Sequence, residues 1–224
     1  MTDAADRSDA TDAEVMTPWP DTDVTSDADW DERAPAPRGG PEFAALHHAQ
    51  RQLQDRLTGA ALPPDVSKEL TERLLDICEL IGEHQVPEAD RLDGWRPDLP
   101  GRAHPLLPPY YIDEETESTL SGRVTFTRFY LGGNNAAHGG AHPLLFDDVL
   151  GRVMNHHQPG VSRTAFLKVN YRRVTPLDVE LHFEASRDSI DGRKRWGSAR
   201  LFDASGALLS DAEALFLQLL PGQA

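Results

Sequence analysis

Asp178-Val179-Glu180-Leu181-His182-Phe183-Glu184-Ala185 alternates polar and apolar side chains one by one. Successive side chains of a strand point to opposite faces, so this period of two predicts a strand with Val179, Leu181, Phe183 and Ala185 turned inward. Two turn signals follow, Ile190-Asp191-Gly192 and Asp203-Ala204-Ser205-Gly206, and they separate further strand-like runs at 193–203 and 207–220. With the run at 163–173 these make four consecutive strands. Upstream, Val124, Phe126, Phe129 and Leu131 predict a first strand, and residues 142–157 carry Leu145, Val149 and Val153 on one helical face. The order strand, helix, four strands predicts an α+β fold, an antiparallel sheet burying one face against a single long helix.

The rest of the chain is organised around this unit at 122–221. Residues 1–41 crowd acids from Asp3 to Glu32 against only Arg7 and Arg33 and end in a Pro- and Gly-rich run, a composition that predicts a disordered acidic tail. Trp19 and Trp30 are the only aromatic residues in it before the helices begin. Residues 42–86 predict two amphipathic helices, the second with a stripe of Leu70, Leu74, Ile77 and Ile81 and with Asp65 as its N-cap. Residues 87–121, centred on Pro105-Leu106-Leu107-Pro108-Pro109-Tyr110-Tyr111, read as a Pro-rich connecting loop or a cover over a site.

The formal net charge of -15 disfavours phosphate backbones and anionic membranes as general partners. In the two predicted helices acids outnumber bases, which argues against a DNA-binding pair and for packing or oligomerisation. One cysteine, Cys78, excludes an intrachain disulfide. No signal-peptide pattern and no run long enough to span a bilayer is present, so a cytoplasmic protein is expected. His138 and His142 stand four apart, but no further acid or thiol completes a persuasive ligand set, so no metal and no cofactor are expected.

The chemically unusual stretch is Asn134-Asn135-Ala136-Ala137-His138-Gly139-Gly140, leading into the predicted helix. Free amides at a helix N-terminus make a site for an oxygen carrying negative charge, and paired glycines let a ligand approach the backbone. Asp147 follows Gly140 by seven residues, nearly two turns, so both lie on about one helix face, roughly 10 Å apart along the axis. An oxyanion donor and a water-activating base must each reach within about 3 Å of their targets, so one chain cannot bring both to one carbon. Two copies related by a twofold axis can, which calls for at least a dimer. The neighbouring Asp148 points about 100° away around the helix.

His138-Gly139-Gly140, the acid nine residues on, the strand from Thr164 to Pro176 and Asp191-Gly192-Arg193-Lys194 together resemble the PaaI-like hotdog acyl-CoA thioesterases, from about 122 to 220. The resemblance implies a hotdog fold and hydrolysis of acyl-CoA. It implies Asp147 as general base or nucleophile, the Gly139 and Gly140 amides as polarisers of the thioester carbonyl, and Thr164 as the residue orienting water. His138 is then expected to shape the turn. Many relatives carry an asparagine six residues before the histidine, where this chain has Gly132, so that either Asn134 or Asn135 substitutes for it or that function is absent. Arg172, Arg173, Arg193 and Lys194 are the candidate contacts for the CoA phosphates. The hydration motif of hotdog hydratases is not found; a catalytically silent module binding acyl-CoA or a protein is the alternative.

Overall fold

The computed structural model describes residues 38–220 and 222. The acidic tail with Trp19 and Trp30 lies outside the described residues. Helix α1 (Gly40–Thr58) and helix α2 (Pro64–Gly82) come first, followed by two short 3-10 turns. A hairpin of β1 (Tyr110–Glu115) and β2 (Thr119–Thr125) is next, then the small hairpin of β3 (Leu131–Gly133) and β4 (Ala136–Ala137). Helix α3 (Ala141–Asn155) leads into β5 (Ser162–Tyr171), β6 (Glu180–Asp191), β7 (Lys194–Phe202) and β8 (Leu208–Gln218). Among the described residues no helix is long and apolar enough to cross a membrane.

The main sheet has six strands in the order β1-β2-β6-β7-β8-β5, every neighbouring pair antiparallel. It packs along one face on α3, giving the α+β hotdog architecture expected. From α3, Leu145, Phe146, Val149, Leu150 and Met154 are fully buried against Leu181, Phe183, Leu201, Ala214 and Phe216 of the sheet. The helix lies close because β7 offers no side chain at Gly197: a Cβ there would stand 2.0 Å from Met154 Cε and 2.5 Å from the Ser186 carbonyl. In β6 the alternation holds, with Leu181, Phe183 and Ala185 buried while Glu180, His182 and Glu184 are exposed. Val179 does not join it; it precedes the strand, 42% exposed, beside Asp178 at φ 57°.

Three sequence expectations need correction. The segment 87–121 is not a connecting loop throughout: β1 and the start of β2 lie within it, joined by a turn in which Thr116 bonds Thr119. Asp113, Glu114 and Glu115 hid β1, since acids are poor strand formers and this edge strand has little buried surface to show a pattern. The strand before α3 ends at Thr125, and Arg128–Tyr130 form a 3-10 turn, so Phe126 and Phe129 are not strand residues. Asp65 is not the N-cap of α2; Pro63 occupies that position, and Asp65 sits in the first turn where a carboxylate still favours the helix dipole.

The two leading helices also pack differently from their apolar patterns. The inward face of α1 is Ala44, His47, Arg51 and Asp55, while Leu46, Leu53 and Leu57 are exposed. Hydrogen bonds hold this polar face in place. Arg51 donates to His47 Nε2 at 2.9 Å and to the carbonyls of Pro100, His104 and Leu107 at 3.0–3.3 Å, and the Phe129 amide donates to Asp55 at 2.8 Å. On α2 no residue is buried among the described residues, and Ile77 and Ile81 are about half exposed.

Candidate active site

The approach to α3 is a tight hairpin. Asn134 and Asn135, at φ 50° and 58°, turn β3 into β4, and asparagine is the side chain that best tolerates two successive left-handed residues. That conformation by itself accounts for the pair. The chain then bonds back to the body through the His138 amide and the Tyr130 carbonyl at 2.7 Å.

At His138-Gly139-Gly140 the two glycine amides differ. The Gly140 amide donates to Nδ1 of His138 at 2.9 Å, so the histidine ring folds over its own turn and takes up one of the two expected donors. The Gly139 amide has no acceptor among the described residues. Its peptide is fixed from the other side, where the Tyr171 hydroxyl donates to the Gly139 carbonyl at 2.7 Å. Below this turn His142 is buried, stacked on Phe126 and bonded to Ser210 at 2.8 Å; burial holds its pKa down to about 4.

Two turns further on, Asp147 is exposed and accepts a hydrogen bond from Thr164 Oγ1 at 2.7 Å. Thr164 borders a bulge in β5, between Thr164 and Phe166. An extra residue in one strand breaks the inside–outside alternation and re-aims side chains, and Thr164, Ala165 and Phe166 are accordingly all exposed. Asp148, one residue on, has different surroundings. Arg102 Nε donates to it at 3.1 Å, a second Arg102 nitrogen forms an ion pair with it, and the Tyr110 hydroxyl donates to it as well. Burial and the Asp148 charge push the Tyr110 hydroxyl pKa up. Asp148 is thus committed to structure, whereas among the described residues Asp147 has only Thr164.

Asp147 lies on the wall of a cavity of about 470 Å³ between α3 and the segment 91–107. Arg91, Arg102 and His104 contribute to that wall, and none of them was singled out in the sequence. They come from a region without periodicity, and what brings them here is long-range pairing through Arg51 and Asp148 that leaves no local trace. The Leu106-Leu107 pair of the Pro-rich run also lines it, whereas Phe146 of α3 is wholly in the core. A second hollow, of about 270 Å³ on the β1-β2-β6-β7 side, includes none of these groups.

The four basic candidates do not form one cluster. Arg193 and Lys194 adjoin the start of β5, since Lys194 pairs with Leu217 and Leu217 with Arg163. Arg172 and Arg173 follow its other end, roughly 30 Å away for a ten-residue strand. Arg172 is engaged by Asp211 and Arg193 by the Gln218 carbonyl at 2.8 Å. The same strand separates the two halves of the chemistry, since the start of α3 meets Tyr171 and its second turn meets Thr164. Within one chain the Gly139 amide and the Asp147 carboxylate stand apart. Among the described residues no group of three or more side chains is placed to hold a metal ion.

No family model and no curated protein matches this chain. Solved structures do. A thioesterase superfamily protein is similar at 28% identity with a TM-score of 0.68, over 83% of this chain and 94% of its own. That share exceeds the stretch from β1 to β8, so the likeness extends into the preceding segment. The PaaI protein of E. coli matches at 14% identity and TM-score 0.47, over 50% of this chain and 80% of its own. A hypothetical thioesterase of Streptococcus pneumoniae, solved with coenzyme A, matches at 17% identity and TM-score 0.46, over 49% and 87%.

Proposed function

From a chain that has the hotdog fold of the thioesterase superfamily, we propose hydrolysis of acyl-CoA thioesters to free acid and CoA at sites shared between two copies. The observation that carries this reading is exposed Asp147 on a cavity wall, bonded by Thr164 at 2.7 Å, beside an acid, Asp148, that is fully committed elsewhere. Asp147 accepts a proton from a water that Thr164 helps to hold and that attacks the carbonyl carbon, or attacks that carbon itself to give a mixed anhydride that water then hydrolyses to the free acid. The thioester carbonyl oxygen gains negative charge as the carbon becomes tetrahedral, and the partner copy's Gly139 amide stabilises it. Collapse then breaks the carbon–sulfur bond and releases the CoA thiolate, which takes a proton. A preorganised amide of this kind contributes roughly 100- to 1000-fold, and a placed base about as much or more.

Sharing follows from spacing. Asp147 is seven residues beyond Gly140 on one helix, so each copy supplies the amide to one site and the carboxylate to the other. Arg172, Arg173, Arg193 and Lys194 remain the proposed phosphate contacts, with each strand end serving a different copy's ligand. Asn134 and Asn135 are the proposed substitutes for the asparagine replaced by Gly132.

The alternative is a silent module that binds acyl-CoA or a protein, and one observation favours it: His138 already occupies the Gly140 amide. Thiol release from acyl-CoAs separates the two. The enzyme reading expects turnover that falls at least 100-fold in Asp147→Asn; binding without turnover would establish the module instead.

A further inference from the structure

The cavity beside Asp147 is apolar over half of its lining, and among the described residues one cation on its wall is uncommitted. Leu106, Leu107, Pro143, Leu144 and Leu167 supply the apolar surface. Of the three basic side chains on the wall, Arg102 is neutralised by Asp148 and His104 faces Asp93 at 3.8 Å. Arg91 has no acid and no carbonyl within bonding distance among the described residues.

The wall that carries Arg91 is held in place. Arg96, buried, donates to both oxygens of Asp98 and to the carbonyls of Arg38 and Gly40 at 2.7–2.9 Å. Arg102 reaches back to the Gly94 carbonyl at 2.8 Å while pairing with Asp148. From α1, Arg51 ties down Pro100, His104 and Leu107. Residues 94–107, which follow Arg91 closely, are therefore fastened to α1 on one side and to α3 on the other.

An apolar cavity within the usual size of small-molecule sites, about 300–1,000 Å³, takes an aliphatic chain. A guanidinium on its wall with no internal acid takes an oxyanion, and does so where the whole protein, at net charge -15, would otherwise repel one. Building on the thioesterase reading, we propose that Arg91 is a specificity residue that receives an anionic group of the substrate. That group is a carboxylate at the far end of the acyl chain or a phosphate of the CoA moiety.

The test uses matched thioesters of hexanoic and adipic acid, and of octanoic and suberic acid. Each is made both with CoA and with N-acetylcysteamine, which carries no phosphate, and each is assayed with the full-length protein and with Arg91→Gln. If the anion is the acyl carboxylate, the diacid-to-monoacid ratio of kcat/KM exceeds one in the wild type. It then falls about ten- to a hundredfold in Arg91→Gln for both carriers, the size expected for a charge-assisted hydrogen bond. If the anion is a phosphate, the CoA-to-N-acetylcysteamine ratio falls by a similar factor while the diacid-to-monoacid ratio does not move. Both ratios unchanged in Arg91→Gln overturns the proposal and leaves the thioesterase reading standing. Wild-type protein that cleaves none of the esters overturns both. Arg91 is exposed and makes no bond among the described residues, so the variant is expected to fold, which circular dichroism checks.

Discussion

Lowering the pH from 7 to 4.5 is expected to cost this fold about 5 kcal/mol through two buried histidines. His47 is 3% exposed on the inner face of α1, and His142 is 2% exposed beneath the start of α3. Burial, with the Arg51 charge added at His47, holds each imidazole's pKa down to about 4, against 6.5 in the unfolded chain. The sign follows from proton counting. Above pH 6.5 both states hold the rings neutral and nothing depends on pH. Between 6.5 and 4 the unfolded chain binds protons that the folded chain refuses, so stability falls by about 1.4 kcal/mol per pH unit for each ring. Over that interval each histidine contributes about 2.4 kcal/mol of loss by pH 4.5. Carboxylates with lowered pKa values, such as Glu115 and Asp98, which Arg152 and Arg96 hold, add to the loss chiefly at lower pH still. Urea titrations followed by tryptophan fluorescence at half-unit steps read the slope directly. His142→Gln keeps a partner for Ser210 and is expected to halve that slope, whatever it does to stability at pH 7. A slope that is flat from pH 6.5 to 4.5, or one that His142→Gln leaves unaltered, would show that these histidines do not set the acid sensitivity of the fold.

Arg51→Met keeps the aliphatic stem but strips the donors from Pro100, His104 and Leu107; since Tyr130 also donates to Leu107, about two carbonyls are orphaned, at about 3 kcal/mol in total. A melting temperature within a couple of degrees of wild type would count against the role given to this residue. Gly197→Ala sets a methyl against Met154 and the Ser186 carbonyl and is expected to destabilise by about 1–3 kcal/mol, measured by the same melt. Thr164→Val removes the hydrogen bond to Asp147 and is expected to lower kcat about ten- to a hundredfold in a thiol-release assay. An unchanged kcat would remove Thr164 from the mechanism.

The sheet was legible wherever one of its faces is buried and the other wet. Leu181, Phe183 and Ala185 announce β6 because the pleat sorts side chains by parity, and Leu145, Val149 and Val153 announce α3 because the core sorts them by 100° steps. β1 was not legible, since Asp113, Glu114 and Glu115 sit on an edge that rewards no alternation. Nor was the packing of α1, whose buried stripe is His47, Arg51 and Asp55; a hydrophobic pattern cannot reveal a contact made of hydrogen bonds. At the proposed site, spacing along one helix together with the family resemblance singles out Gly139, Gly140 and Asp147. It could not tell that His138 engages one amide, because that depends on a side-chain rotamer. It also gave no hint of Arg91, which owes its position to residues distant in sequence.

Asp147 and Asp148 are chemically identical neighbours with unlike partners, Thr164 for one and Arg102 with Tyr110 for the other. What distinguishes them is angular phase alone, which makes α3 behave like a reading frame. Deleting one residue between Ala141 and Phe146 would carry an aspartate into the place Asp147 left, so an acid would still face Thr164. The same step would turn Leu145, Val149 and Val153 out of the core and leave Arg102 opposite a non-acidic residue. A frame-shifted helix of this kind keeps its carboxylates in number and loses the protein that gave them separate tasks.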